Sequence, residues 1–274
     1  MPELPEVETI ARTLRPALIG KTILSADLRW ARTLATPSPA AFKRLVKGQQ
    51  IKSISRRAKF LDIQLSDRHL IIHLRMSGDL LVVLGGYQPA KHDRLIAHLS
   101  GDTSLIFSDP RKFGRVWLLE DTSKIYRDLG MEPLSDGFST EWLQSALATR
   151  QRQLKPLLLD QKFIAGLGNI YTDEALHLAK LHPLTLSNEI TRKKVAGLWR
   201  AIREVLEEGI RRNGASIDWV YRGGDFQNHF RVYGRTGEPC PVCNTPIKRI
   251  TVGQRGTHFC PHCQGRAKPK YPVK

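Results

Sequence analysis

The chain has 274 residues, with 43 lysines and arginines against 26 aspartates and glutamates, a formal charge of +17 and a pI near 10.0. That length predicts about two domains, and a positive excess spread from Arg12 to Lys274 argues for a folded surface that meets a polyanion, nucleic acid first. Residues 1–15 carry Glu3, Glu6 and Glu8 and no continuous apolar run, and no stretch reaches membrane-spanning length, so neither a secretion signal nor a membrane anchor is expected.

A helix is predicted first. Pro5 suits its first turn, Glu6 and Glu8 suit its dipole, and Val7, Ile10, Ala11 and Leu14 recur at helical spacing before Gly20 closes it. Short β-rich runs follow: KTILSADL, QIKSISR, KFLDIQLS, HLIIHLRM, DRLIAHLS and SLIFS, many alternating apolar with polar residues. Turn sequences such as Ser77-Gly78-Asp79, Gly85-Gly86 and Gly101-Asp102 separate them, so this half reads as a two-layer β-sandwich.

From about Ser135 the period becomes helical, in STEWLQSALA, LKPLLLD, NIYTDEALHLAKL and ITRKKVAGLWRAIREVLEEGI. The last of these places Val195, Leu198, Trp199, Ile202, Leu206 and Ile210 on one face and stops at Asn213-Gly214.

Near the C-terminus Cys240 and Cys243 are two residues apart, sixteen residues intervene, and Cys260 and Cys263 repeat the spacing. Two such knuckles aim four sulfurs at one point, the arrangement of a tetrahedral zinc site, and the segment between them reads as the hairpin that joins them. Four thiolates fill the coordination shell, so one structural Zn2+ is expected, standing in for a core too small to fold alone. The close pairing argues against a disulfide or redox role and for an intracellular protein. Lys248, Arg249, Arg255, Arg266, Lys268 and Lys270 surround the cysteines, charges able to lie against phosphate.

A set of motifs then appears in one order along nearly the whole chain: PELPEVET from Pro2, RRAKF at 56–60, HLRMSG at 73–78, KHD at 91–93, DPRKFG at 109–114, GLGNIYTDEAL at 166–176, VYGR at 232–235 and the cysteine finger. Together they make the chain resemble the bacterial formamidopyrimidine-DNA glycosylases, which remove 8-oxoguanine and ring-opened purines. The resemblance implies an α+β multidomain fold: an N-terminal helix and two-layer β-sandwich (1–133), a helix-two-turns-helix DNA-binding domain (134–225), and a zinc finger with a basic tail (226–274). It implies base excision repair by a glycosylase and abasic-site lyase, on double-stranded DNA containing oxidised purines or abasic sites. The enzyme would be a monomer at the bacterial nucleoid in the cytoplasm, with zinc but no organic cofactor.

The same resemblance assigns roles residue by residue. Pro2 is implied as nucleophile, and chemistry explains its place, because only a terminal proline is a secondary amine rather than a tertiary amide. Its use requires removal of Met1. Glu3 is implied as general acid and base, Lys59 as proton donor in β-elimination, and Arg255 as the holder of the 3′ phosphate in δ-elimination. Met76, Arg111 and Phe113 match the residues that fill the gap left by an extruded nucleotide. Asn169 is implied as a phosphate clamp at a helix start, and His73, His92, Arg150 and Tyr233 as further DNA contacts. Glu6, Ser216 and Tyr221 are implied at the base pocket, though the 216–226 segment SIDWVYRGGDF is shorter than usual for the loop that covers the base.

Two other readings stand beside this one. The related endonuclease VIII-like branch prefers oxidised pyrimidines but lacks PELPEVE and the LGNIYTDE turn. A non-catalytic zinc-containing DNA-binding protein fits the charge and the finger equally well.

Overall fold

The computed structural model describes residues 1–216 and 223–265; Tyr221, Arg266, Lys268 and Lys270 lie outside the described residues. The chain forms two compact units, Met1–Asp128 with Asn213–Gly224, and Leu129–Arg212 with Asp225–Lys274.

In the first unit, helix α1 (Leu4–Leu18) starts with Pro5 in its first turn and buries Val7, Ile10, Ala11, Leu14 and Leu18. Its end follows the sequence reading, since Gly20 takes φ +87 immediately beyond it. Nine strands follow: β1 (Ile23–Leu28), β2 (Leu34–Thr36), β3 (Ser53–Arg57), β4 (Phe60–Gln64), β5 (His69–His73), β6 (Asp79–Leu84), β7 (Asp93–Leu99), β8 (Thr103–Ser108) and β9 (Arg115–Leu119). Helix α2 (Pro39–Val46) lies between β2 and β3, capped by the Ser38 hydroxyl, and the short α3 (Ser123–Tyr126) follows β9.

The strands make two sheets, one of order β1-β7-β8-β6 and one of order β2-β9-β5-β4-β3. Residues of both sheets share one apolar core with α1, among them Leu61, Ile72 and Val116 from one sheet and Leu95, Leu105 and Phe107 from the other. This is the expected two-layer sandwich. Three strands are absent from the sequence reading, β2, β6 and β9; the last two each begin directly after a loop that bears on the candidate site, the turns ending at Gly78 and Gly114.

Helix α1 is fastened to the second sheet by charge as well as packing. Glu8 bridges Arg12, Arg15 and Arg56, the last at 3.3 Å from β3, and Arg15 Nε donates to the Ile54 carbonyl at 2.8 Å. The residues just before α1 are therefore held to the same frame as the β3–β4 turn.

The second unit contains α4 (Thr140–Ala148), α5 (Leu154–Leu159), α6 (Asn169–Leu178) and α7 (Arg192–Arg211), followed by the hairpin β10 (Lys248–Val252) and β11 (Arg255–Phe259). Helix α7 buries Val195, Leu198, Ile202 and Leu206 as its period predicts, while Trp199 sits at the margin and donates Nε1–H to the Phe138 carbonyl at 2.6 Å. The finger core is minute: Val232, Cys240, Ile247 and Cys260 are its buried apolar members. Among the described residues no helix is long and apolar enough to cross a membrane.

Candidate functional site

At the head of the chain, Pro2 and Glu3 are both buried, and Glu3 stands at the N-cap of α1 in an extended conformation. Met1 precedes Pro2 and is 44% exposed. Glu6, one turn in, has its two carboxylate oxygens committed to backbone: Oε2 accepts from Glu3 N at 2.7 Å and Oε1 from Ala215 N at 2.8 Å. It thus ties the residue after Pro2 to the start of the 216–226 segment. Gly214 packs against the same carboxylate, where an added Cβ would stand 2.7 Å from Oε1. The segment is also closed at its base, since Ser216 Oγ accepts from Gly224 N at 2.9 Å.

Lys59 sits in the two-residue turn between β3 and β4, where Ala58 takes φ +53, a conformation costly for a residue with a Cβ. Arg56 Nη1 donates to the Ala58 carbonyl at 3.0 Å and stabilises that turn. Lys59 is only 5% exposed, unusual for a lysine. His73 at the end of β5 is paired in register with Phe60, beside the lysine, and its ring meets the Phe60 ring edge-on at 4.6 Å. Burial, with the charges of Arg75 and Lys59, pushes His73 down to about 3. The ring is therefore neutral; Nδ1 accepts from Arg75 N at 3.0 Å, which leaves the proton on Nε2.

The three residues expected to fill the gap come from two loops that the fold joins into one platform. Met76 lies in the 74–78 turn, where Arg75 takes φ +57, and Arg111 and Phe113 lie in the 109–114 turn, where Lys112 takes φ +61. Asp109 is wholly buried and joins them: its carboxylate accepts hydrogen bonds from the Ser77 hydroxyl, from Arg111 N at 3.2 Å and from Gly114 N at 2.7 Å. Arg94 Nε holds the Asp109 carbonyl at 2.7 Å, and Asp109 N reaches the His92 carbonyl at 2.8 Å.

Underneath, the Phe107 ring lies against both Gly78 and Gly114, so close that a Cβ on either would come within 2.8 and 2.3 Å of it. Above this floor Met76 and Phe113 are exposed at 39% and 50%, with the Arg111 guanidinium 5.1 Å from the Phe113 ring centre. An exposed methionine and phenylalanine over a rigid polar scaffold are not core residues.

In the second unit one face of α6 carries the polar contacts. Asn169 is the first residue of the helix and not its cap, which is Gly168; its Nδ2 donates to the Gly256 carbonyl at 3.0 Å. Asp173 is fully buried, pairs with the equally buried Lys155, and accepts from His258 N at 2.9 Å. Glu174 accepts from the amides of Arg231, Val232 and Tyr233 at 2.8 to 2.9 Å, and burial nevertheless raises its carboxyl above the ordinary value. Those three bonds position Tyr233, whose ring lies between Phe230 and His258.

Arg255 opens β11 on the exposed side of the finger hairpin. Arg150 covers the C-terminal end of α4, donating to the Ala146 carbonyl at 2.7 Å and lying over Phe163.

The four cysteine sulfurs lie within 4.8 Å of one another, with Cys240–Cys263 at 3.9 Å and Cys243–Cys260 and Cys243–Cys263 at 3.4 Å. Sulfurs about 2.3 Å from a tetrahedral zinc stand about 3.8 Å apart. None is in a disulfide, and the donor set suits one structural zinc ion and nothing with an open position.

Two buried supports escaped the sequence reading. Asp109 and Glu174 both lie inside quoted motifs, and each is a carboxylate facing several backbone amides, a demand that a single sequence does not display.

Three regions match family models: the formamidopyrimidine-DNA glycosylase N-terminal domain over residues 1–116, its H2TH domain over 129–220, and a zinc finger found in FPG and IleRS over 237–265. Among curated proteins, the formamidopyrimidine-DNA glycosylase of Chloroflexus aggregans is 49% identical over 96% of this chain and 98% of its own length. That of Halalkalibacterium halodurans is 44% identical over 96% of the chain and its full length. Among solved structures, Lactococcus lactis formamidopyrimidine-DNA glycosylase bound non-covalently to DNA with an abasic site superposes with a TM-score of 0.90, at 38% identity over 96% of this chain and all of its own. A second, MutM in complex with DNA containing carbocyclic 8-oxoguanine, also reaches 0.90 at 38% identity, over 97% of this chain and all of its own. With the sandwich, the helical unit and the four-cysteine finger in matching order, this chain belongs to the formamidopyrimidine-DNA glycosylase family.

Proposed function

We propose that the protein is a bifunctional DNA glycosylase and abasic-site lyase that removes oxidised purines, 8-oxoguanine and formamidopyrimidines, from double-stranded DNA. The observation that carries this reading is the pairing of exposed Met76 and Phe113 over the buried Asp109 anchor. An apolar wedge displayed to solvent on a rigid floor is what extruding a nucleotide requires. Arg111, a pure donor beside the wedge, suits the acceptors of the orphaned base.

After removal of Met1, the Pro2 amine attacks C1′ of the flipped nucleotide while Glu3 supplies a proton to the opening sugar; the C1′–N bond breaks and the base leaves. The resulting iminium draws electrons from C2′. Loss of the C2′ proton expels the 3′ phosphate, and a second elimination expels the 5′ phosphate. Lys59 serves the first elimination, and Arg255 holds phosphate in the second. Asn169, Arg150, Tyr233, His92 and His73 serve the DNA backbone. Glu6 and Ser216 brace the recognition segment, and Tyr221 falls on it.

On this reading residues 1–133 carry the chemistry, 134–225 the helical grip and 226–274 the zinc finger and basic tail. The enzyme acts as a monomer on the nucleoid in the cytoplasm.

Borohydride trapping tests the proposal. Met-free protein should form a covalent adduct with 8-oxoguanine or abasic duplex through Pro2, and Pro2→Gly should lose cleavage far more than binding. Tight binding with no adduct from the Met-free protein would instead leave a zinc-containing DNA-binding protein without lyase chemistry.

A further inference from the structure

We propose that His177 is a positioning residue of the zinc centre: it donates Nε2–H to the Cys240 sulfur and so fastens the metal site to α6. The imidazole Nε2 lies 3.4 Å from Cys240 Sγ, and the two residues are 3% and 0% exposed. A zinc-bound thiolate has no proton to give, so the hydrogen between them belongs to the imidazole. The other ring nitrogen, Nδ1, is buried and has no partner among the described residues. The sulfur is therefore the contact that sets both the orientation and the tautomer of this ring.

The place of His177 on α6 gives the contact its consequence. Asn169, Asp173 and His177 recur at four-residue spacing and share one helix face. All three reach the finger: Asn169 to the Gly256 carbonyl at 3.0 Å, Asp173 to the His258 amide at 2.9 Å, and His177 to Cys240. The first two hold the hairpin, whereas the third holds a knuckle. Zinc occupancy and the seating of Asn169 at the head of α6 are thus linked through one helix. The link concerns the finger's attachment, and it stands or falls independently of the lyase chemistry.

The test uses the full chain loaded with zinc or cobalt(II). A hydrogen bond withdraws electron density from a thiolate, so His177→Leu should shift the sulfur-to-cobalt charge-transfer band to longer wavelength. It should also raise the alkylation rate of Cys240 by iodoacetamide and weaken zinc retention against a chelator by about tenfold or more. His177→Gln, which keeps an N–H donor, should recover part of each change. A leucine variant with the wild-type cobalt spectrum, zinc retention and Cys240 reactivity would overturn the proposal and reduce His177 to filler. Should that variant fail to fold, 15N NMR of the zinc-loaded wild-type protein decides: a proton on Nε2 supports the contact, and a neutral ring protonated on Nδ1 overturns it.

Discussion

Ser77 donates its hydroxyl proton to the Asp109 carboxylate, and this one buried contact joins the turn that displays Met76 to the turn that displays Arg111 and Phe113. Ser77 and Asp109 are 32 positions apart in the chain; their turns meet where β6 pairs with β8, Asp79 opposite Ser108, and Asp109 and the Phe107 ring fix them to each other beyond that pairing.

Asp109→Asn tests the carboxylate. An amide keeps one acceptor oxygen but turns an NH2 group toward a donor, Gly114 N or the Ser77 and Arg111 pair. Leaving a buried donor unmatched costs about 1–3 kcal/mol. Urea unfolding should show that loss, and affinity for an abasic-site duplex should fall about tenfold as the wedge loses its fixed geometry. A variant with lowered stability and unchanged DNA affinity would show that the platform does not depend on this anchor.

Gly114→Ala tests the floor. The added methyl would stand 2.3 Å from the Phe107 ring, and overpacking of this kind costs about 1–3 kcal/mol. Phe107→Leu should recover part of that cost in the double variant while being destabilising alone, a non-additivity that a thermodynamic cycle measures. Additive effects would mean that Phe107 is not the obstacle.

The cysteine cluster and the first helix were legible in the sequence because their signals are local. The Cys240–Cys243 and Cys260–Cys263 spacing needs no partner to be read, and the helix start at Pro5 and its stop at Gly20 follow from dihedral preferences. The burial of Lys59 and the depth of Asp109 were not legible, because each depends on contacts between distant strands. Asn169 marks the same limit: its place at a helix start was evident, but its bond to Gly256, 87 residues away, was not. Strand β2 escaped notice because LAT is only three residues, and β6 and β9 because DLLVVL and RVWLL are unbroken apolar runs without the polar alternation that marks a half-buried strand.

Lys155 and Asp173 form an ion pair with both side chains fully buried. Removing one partner leaves an uncompensated buried charge, a loss of about 3–5 kcal/mol. Lys155→Met and Asp173→Leu should each approach that figure in chemical unfolding of the zinc-loaded protein. The double variant should be less destabilised than either single one, although it still lacks the acceptor for His258 N. A double variant as destabilised as the sum of the two single ones would mean that neither buried charge depends on the other.

His73 makes stability depend on pH in a stated direction. Its folded pKa is held at about 3 against an ordinary 6.5, by burial first and by the charges of Arg75 and Lys59 next. Between those values the unfolded chain binds a proton that the folded chain refuses, so stability is full above the ordinary pKa and falls as the pH drops below it. The slope is about 1.4 kcal/mol per pH unit, or about 3 kcal/mol by pH 4.5. His73→Asn keeps an acceptor for Arg75 N but does not titrate, so its unfolding free energy should decline less steeply from pH 6.5 to 4.5. Parallel wild-type and variant curves over that interval would show that His73 takes up its proton in the folded state as readily as in the unfolded chain.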